Sequence, residues 1–299
     1  MRIVMSGASG MIGSALAEQL TAEGNEVVRL VRRPAETARE WAWDPDKGEL
    51  DESVLEGADA VVNLSGAGIG DRPWTKRRIQ VLTESRLRPT QTLTAAMRRL
   101  SNPPSTFVSQ SASGYYGASR EGVLREDSGQ GTGVLGHLSF EWERMARTAP
   151  SGVRVVTPRT GVVLSTSGGA LGPLLPLLKL GLGGPFGNGR QYWPWITLAD
   201  EARALAYLLT ANLEGPVNVC APESADVNTI VAELAKAFHR PAFLRVPRPA
   251  LKLVLGGLAD ELVMANQRME PSRLQEAGFH WLHPTLPDAM EWLKQQEAR

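Results

Sequence analysis

The chain is poor in the residues that staple proteins together. Among 299 residues there is one cysteine, Cys220, which excludes an internal disulfide framework and any thiolate metal cluster. Such an interior suits a reducing compartment, and a cytoplasmic location is expected. Histidines number only four. His280 and His283 stand three apart but lie beside Pro284 with no carboxylate pair near them, so no metal site is expected. Charge of one sign is lacking too: 32 basic side chains meet 32 acidic ones, for a formal net charge of zero. A nucleic-acid partner would call for a basic surplus or stripe. No apolar run reaches the ~18 residues of a membrane span; the longest candidate, Leu171 to Gly184, is broken by Pro173, Pro176, Lys179 and four glycines. A leader peptide is not expected either, because a buried-strand pattern starts at Arg2-Ile3-Val4-Met5. Repeats and low-complexity segments are missing.

What the chain does have is apolar content and alternation. At 42% hydrophobic it can bury a substantial core, as one large domain or two fused ones. Arg2 to Ser6 reads as a strand, followed by a helix from Met11 to about Glu23 whose apolar face is Ile12, Ala15, Leu16 and Leu20. Strands are predicted at Glu26–Val31, Ala60–Leu64, Thr106–Ser109 and Arg154–Thr157. Helices are predicted at Thr75–Leu100, kinked near Pro89, and at Leu135–Arg147. Alternation of this kind predicts an α/β fold, a doubly wound parallel sheet. From Ser165 to Pro194 the composition turns to glycine and proline. The tail beyond Ala221 reads as three or four helices and a strand around Phe243 to Val246. The expected division is a dinucleotide domain of residues 1–165 with 196–220, and a smaller, discontinuous substrate lobe of 166–195 with 221–299, capping the open end of the sheet.

Gly7, Gly10 and Gly13 fall between the first strand and the first helix. A tight turn, close approach of a pyrophosphate to backbone N–H groups and close packing of helix on sheet all need glycine there. The spacing alone is weak, since loops use glycine freely; its position makes it a dinucleotide site. An acid about 20 residues on would hold the ribose 2′-hydroxyl of NAD. Nineteen residues after Gly13 stands Arg32, followed by Arg33, with no acid before Glu36. A guanidinium there pairs with a 2′-phosphate, so NADP(H) is the expected cofactor. The plain alternative is a solvated loop arginine.

The glycine spacing, Asn63-Leu64-Ser65-Gly66 after the third predicted strand, and Arg159-Thr160-Gly161 resemble the extended short-chain dehydrogenase/reductases, Rossmann-fold proteins that include nucleotide-sugar epimerases. More narrowly the chain resembles an atypical branch usually labelled the epimerase family. The marks are Gly66 through Trp74, Glu84-Ser85-Arg86, Ser111-Ala112-Ser113-Gly114-Tyr115-Tyr116-Gly117, Trp142-Glu143, Gly181 through Pro185 with Gly189-Arg190-Gln191, and Glu276-Ala277-Gly278-Phe279. The resemblance covers nearly the whole chain. It implies that Gly7, Ser9, Gly10, Met11, Ile12 and Gly13, then Arg32, Leu64, Ser65, Gly66 and Arg86, line the cofactor. It also implies that Arg159 and Thr160 lie near the nicotinamide, and that members pair through helices beside the sheet. It supplies no substrate.

In the wider superfamily a tyrosine and a lysine four residues later trade the proton while hydride moves. Counted back from Glu143, those places hold Leu135 and Ser139, and no Tyr-x-x-x-Lys exists elsewhere. Tyr115 or Tyr116 could supply a phenol, given a nearby cation such as Arg159 or Arg190; the alternative is that both rings only wall the pocket. Ser111, or Ser113 in another alignment, matches the substrate-orienting serine. His137 is a further acid–base candidate. Arg190, Gln191 and Trp193, with Trp195 beyond, could grip and stack on a polar substrate, or merely pack the lobe. Asp200 reads as the cap of the helix Glu201–Thr210.

Two functions of different class remain: an NADP(H)-dependent oxidoreductase or epimerase acting on a small polar substrate, or an NADPH-binding regulator that catalyses nothing. Both readings expect Arg32 to pair with the 2′-phosphate. Arg32→Ala should weaken NADPH binding far more than NADH binding in a titration of nicotinamide fluorescence; equal losses would remove Arg32 from the account.

Overall fold

Ile3, Val4 and Met5 are all fully buried. A strand dry on both faces needs strand neighbours on its edges and helices above and below. The computed structural model supplies both, and describes residues 1–298. In chain order the first strands and helices are β1 (Arg2–Ser6), α1 (Met11–Ala22), β2 (Glu26–Val31), β3 (Glu40–Ala42), β4 (Ala60–Asn63), α2 (Lys76–Arg99), β5 (Thr106–Ser109), β6 (Ser111–Ala112) and β7 (Ser119–Leu124). Then come α3 (Val134–Ala146), β8 (Arg154–Thr160), β9 (Val162–Leu164), α4 (Leu174–Lys179), β10 (Tyr192–Trp193), β11 (Trp195–Thr197), α5 (Leu198–Thr210) and β12 (Gly215–Val219). The tail holds β13 (Ala225–Asp226), α6 (Val227–Ala237), α7 (Arg248–Leu255), β14 (Asn266–Met269), α8 (Ser272–Glu276) and α9 (Leu286–Glu297).

The main sheet runs β3-β2-β1-β4-β5-β8-β12, with β6 beside β8. Every pairing in it is parallel. The order reverses between β1 and β4, and a crevice opens at such a switch point beyond the carboxyl ends of the strands. Alternation along β1 assigns the faces. Ile3 and Met5 pack with Leu16 and Leu20 of α1 and with Leu205 and Leu208 of α5. Val4 packs with Leu93 and Met97 of α2. The fold is the doubly wound Rossmann type. A separate core gathers Leu164, Leu171, Leu175, Trp193, Trp195, Ile230 and Leu293 from the later segments.

The helices start where side-chain caps permit: Thr75 accepts from Arg78 N at α2, and Thr285 forms a reciprocal capping box with Asp288 at α9. α2 continues through Pro89. The expected strand at Phe243–Val246 does not form. Only Val246 bridges to Phe186, while Phe243 and Leu244 are exposed; Pro241 and Pro247 bracket the segment and cannot donate to a ladder. The tail's strand is instead β14, parallel to β7. Neither was expected, nor were β3 and β12. Asp200 is not the cap of α5. Thr197 is, accepting from Asp200 N, because the helix begins at Leu198; the Asp200 carboxylate instead accepts from Leu282 N and His283 N. No helix of the described residues is long and apolar enough to cross a membrane.

The turn from β1 into α1 is tightly packed. Gly7 has φ +70, and a Cβ there would stand 2.5 Å from the Leu64 carbonyl. A Cβ at Gly13 would stand 2.2 Å from Gly7 O and 2.8 Å from Ala8 Cα. One at Gly10 would meet only Gly7 O, at 3.4 Å. Gly13→Ala should therefore cost about 1–3 kcal/mol as overpacking, and Gly10→Ala about 0.5 kcal/mol or less. Urea denaturation of the two variants checks this, and equal midpoints would contradict it.

Candidate functional site at the carboxyl edge of the sheet

At the start of α1 the N-cap is Gly10, which supplies no side-chain cap, and the first turn holds no acid. Ser9 and Gly10 are exposed, Met11 and Ile12 half-buried. The free amides and the positive end of the helix dipole suit a phosphate, so the loop fits the diphosphate of a dinucleotide. Leu64 closes on Gly7 through its backbone, and Ser65 Oγ donates to Ser6 Oγ at 2.9 Å. Gly66, exposed, lies under Arg86, where a Cβ would stand 3.1 Å from Cζ. Arg86 itself is buried, donates to Leu82 O and Ala67 O, and lies over the Trp142 ring. Burial pulls its pKa down to about 10, with Arg78 adding to the effect.

The two arginines after β2 part company. Arg33 is clamped by Glu40, with Nη1 at 3.0 Å from Oε2 and Nη2 at 2.8 Å from Oε1, and also faces Glu36. Arg32 is exposed and makes no ion pair among the described residues. At the ends of β1, β4 and β5 sits a polar hub that the sequence had marked only as part of a motif. Asn63 accepts from Ser6 Oγ at 2.7 Å and donates to Thr90 Oγ1 at 2.8 Å, and Trp142 Nε1 donates to the same threonine.

Behind β6 lies a buried ion pair. Arg159 Nε donates to Glu143 Oε1 at 2.8 Å and Nη2 to Oε2 at 3.0 Å, with both side chains almost fully buried. Burial disfavours the Arg159 charge, but the Glu143 bonds outweigh it and hold the guanidinium above its ordinary pKa. Its Nη1 donates to Tyr116 Oη and to Glu126 O, and its Cζ lies 3.5 Å from the Tyr115 ring centroid. Ser111 Oγ donates to Glu143 Oε1 at 2.8 Å, so that hydroxyl is committed inside the protein. Tyr116 is fully buried and donates to Asn218 Oδ1 at 2.6 Å. Burial pushes its pKa up to about 12 although the Arg159 charge opposes this. Tyr116 and Ser111 are therefore structural here rather than available acids. Tyr115 differs: it is half-buried, and its hydroxyl has no hydrogen-bond partner among the described residues.

Thr160 does not face outward either. Its Oγ1 accepts from Gln110 Nε2 at 2.6 Å and donates to Glu201 Oε1 at 2.8 Å. Leu135 is buried against Gly114, Ser139 is buried, and His137 is exposed on the far side of α3. Arg190 is exposed. Gln191 is buried, its Nε2 on Phe186 O. Trp193 is 7% exposed, stacks on Phe186 and donates to Val263 O. That ring is part of the second core and offers no stacking face. The cavity of ≈ 540 Å³ between α1 and α5, lined by Gln19, Arg203, Tyr207 and Phe279, lies at the opposite end of α1 from the glycine loop. No cluster of three or more metal-ligating side chains occurs among the described residues.

Glu201 escaped sequence reasoning, although an acid on the apolar face of Leu205, Leu208 and Leu209 was a signal. It is fully buried, and both its Oε2 and Gln110 Oε1 are acceptors without donors. Burial pushes its carboxyl up to about 8, against the hydrogen bonds of Thr160 and Gln110. A folded-state pKa above the unfolded 4.5 means the folded chain holds a proton that the unfolded chain has lost. Stability therefore falls as pH rises from about 4.5 to about 8, by at most about 1.4 kcal/mol per pH unit from this group. Glu201→Gln should remove that slope, its advantage growing across the same window and levelling above it. Denaturant unfolding at pH 5, 6.5 and 8 checks this, and an advantage independent of pH would refute it.

Comparison with known proteins agrees with this geometry. A model of the NAD dependent epimerase/dehydratase family matches residues 3–220, and the domain of unknown function DUF1731 matches residues 246–293. The epimerase family protein Mb2239 of Mycobacterium bovis is 41% identical over 290 residues, covering 96% of each chain. The epimerase family protein SDR39U1 of Homo sapiens is 35% identical over 295 residues, covering 97% of this chain and 99% of its own. A crystal structure of human SDR39U1 with NADPH superposes with a TM-score of 0.91 at 32% identity, covering 99% of both chains. The chain belongs to the NAD-dependent epimerase/dehydratase family and is similar throughout its length to the epimerase family proteins within it.

Proposed function

We propose that the protein is an NADP(H)-dependent oxidoreductase or epimerase of the short-chain dehydrogenase/reductase type, working in the cytoplasm on a small polar substrate of the nucleotide-sugar kind without the usual Tyr/Lys pair. The observation that carries the cofactor is the uncapped start of α1 together with an unpaired Arg32 beside a neutralised Arg33. The NADPH in the human SDR39U1 structure supports the same choice. Gly7 to Gly13 would hold the diphosphate, Arg32 the 2′-phosphate, and the Leu64–Gly66 loop the sugar between. When bound, the nicotinamide supplies or accepts hydride.

Tyr115 is the phenol left to handle the proton, since Tyr116 and Ser111 are consumed internally. The Arg159 guanidinium lies over the Tyr115 ring, Cζ 3.5 Å from the centroid, a cation–π contact that holds it in place. The exposed Arg190 is available to a phosphate or carboxylate of the substrate. One observation favours the second reading, an NADPH-responsive binding protein: Leu135 and Ser139 leave the usual acid–base positions without a titratable group.

The deciding experiment follows reduced-cofactor absorbance with a panel of carbonyl compounds and nucleotide sugars, and product stereochemistry in parallel, because an epimerase returns its hydride. Tyr115→Phe should lower turnover by about 100-fold or more with NADPH affinity retained, while Tyr116→Phe should lower stability. Full turnover by Tyr115→Phe would remove that residue from the chemistry. Tight NADPH binding with no product across the panel would favour the binding protein.

A further inference from the structure

α3 begins without a cap of its own. Its N-cap is Gly133, at φ +95, and no side chain of that segment bonds the first amides. The missing acceptor arrives from 126 residues away: Glu261 Oε1 accepts from Val134 N at 3.0 Å, and Oε2 from Leu135 N at 2.8 Å. Gly133 makes room for it, because a Cβ there would stand 2.9 Å from Glu261 Oε2.

The segment that presents Glu261 is itself unusual. Ala259 to Val263 form a turn of π-helix, closed by Met264 N on Ala259 O at 2.8 Å. Such turns are rare and concentrate at functional sites. Within it, adjacent acids point to different structures. Asp260 turns back to Arg248 and Lys252 of α7, at 2.8 Å each, while Glu261 reaches forward to α3. Leu258 and Ala259 are buried between. At the other end of the strap, a Cβ at Gly257 would stand 3.9 Å from the Trp74 ring, which belongs to the loop after β4. Residues 256–264 thus run from that loop to the start of α3, both at the carboxyl edge of the sheet. The chemistry of the contact is a carboxylate on the positive end of a 13-residue helix, accepting from two amides.

We infer that Glu261 is the clasp of a strap formed by residues 256–264, which it closes over the carboxyl edge of the sheet by docking on the first amides of α3. The clasp sets how fast a ligand leaves that edge. Naming NADPH as that ligand rests on the cofactor reading above, so the test reads the clasp in two ways.

Amide hydrogen exchange of the full chain is measured for wild type, Glu261→Gln and Glu261→Ala, alongside NADPH dissociation followed by nicotinamide fluorescence. With Glu261→Ala, Val134, Leu135 and the strap should exchange about ten-fold faster or more, while Val4 and Val62 in the sheet stay protected and NADPH leaves several-fold faster. Glu261→Gln, which keeps an acceptor but not the charge, should fall between. Unchanged exchange in the strap overturns the clasp. Faster exchange with unchanged NADPH release overturns its control of ligand exit and leaves only a helix cap. Loss of protection throughout the sheet overturns it as well, since the effect would then be global. Failure of wild type to bind NADPH sinks the cofactor reading instead, and strap exchange alone then supports or overturns the clasp.

Discussion

The Glu143–Arg159 pair is the contact on which the carboxyl edge of the sheet depends. Two charges buried this deeply are costly to desolvate, and the cost is met only when every donor and acceptor finds a partner. Here every polar atom of the pair finds one: Glu143 takes both Arg159 and Ser111, and the Nη1 of Arg159 donates to Tyr116 and the Glu126 carbonyl. Removing one member leaves the other as an uncompensated buried charge, so β6, β8 and α3 are locked in one arrangement. A hydrophobic pair would hold them less specifically.

That lock also sorts two adjacent tyrosines. Tyr116 gives its hydroxyl to the network and disappears from the surface, while Tyr115, perpendicular to it at 86°, takes the cation on its ring face. The site is therefore built from one rigid plane of charge, with an aromatic ring as its outer layer. On the other side of the switch point the architecture is different: bare backbone amides, glycine clearances below van der Waals contact, and one free arginine. Charge is supplied there by the helix start and by Arg32, not by a buried pair.

Much of this was legible beforehand. The order of strands and helices is local information, carried by short apolar runs and turn glycines, and the glycine loop announces itself by sitting between two such runs. Pairings across the fold were not legible. Arg32 and Arg33 look equivalent until Glu40 arrives on β3, a three-residue strand too short to show periodicity. Tyr115 and Tyr116 are distinguished by the partners that only Tyr116 finds, Asn218 among them, which lies more than a hundred positions on. Trp193, readable as a stacking surface or as packing, is core, and the segment around Phe243 reads as a strand but is excluded from one by flanking prolines. Glu261 carried no local sign at all, because its partner is the backbone of a distant helix.

Position 135, which the resemblance to the wider superfamily would give to a phenol, is here part of a wall. Leu135 packs on Gly114, and its own amide is held by the Glu261 carboxylate. Gly114 has no room for a side chain of its own there, since a Cβ would stand 3.0 Å from the Leu135 Cβ. Residue 135 is thus fixed twice, its side chain by Gly114 and its amide by a carboxylate that arrives from 126 positions on.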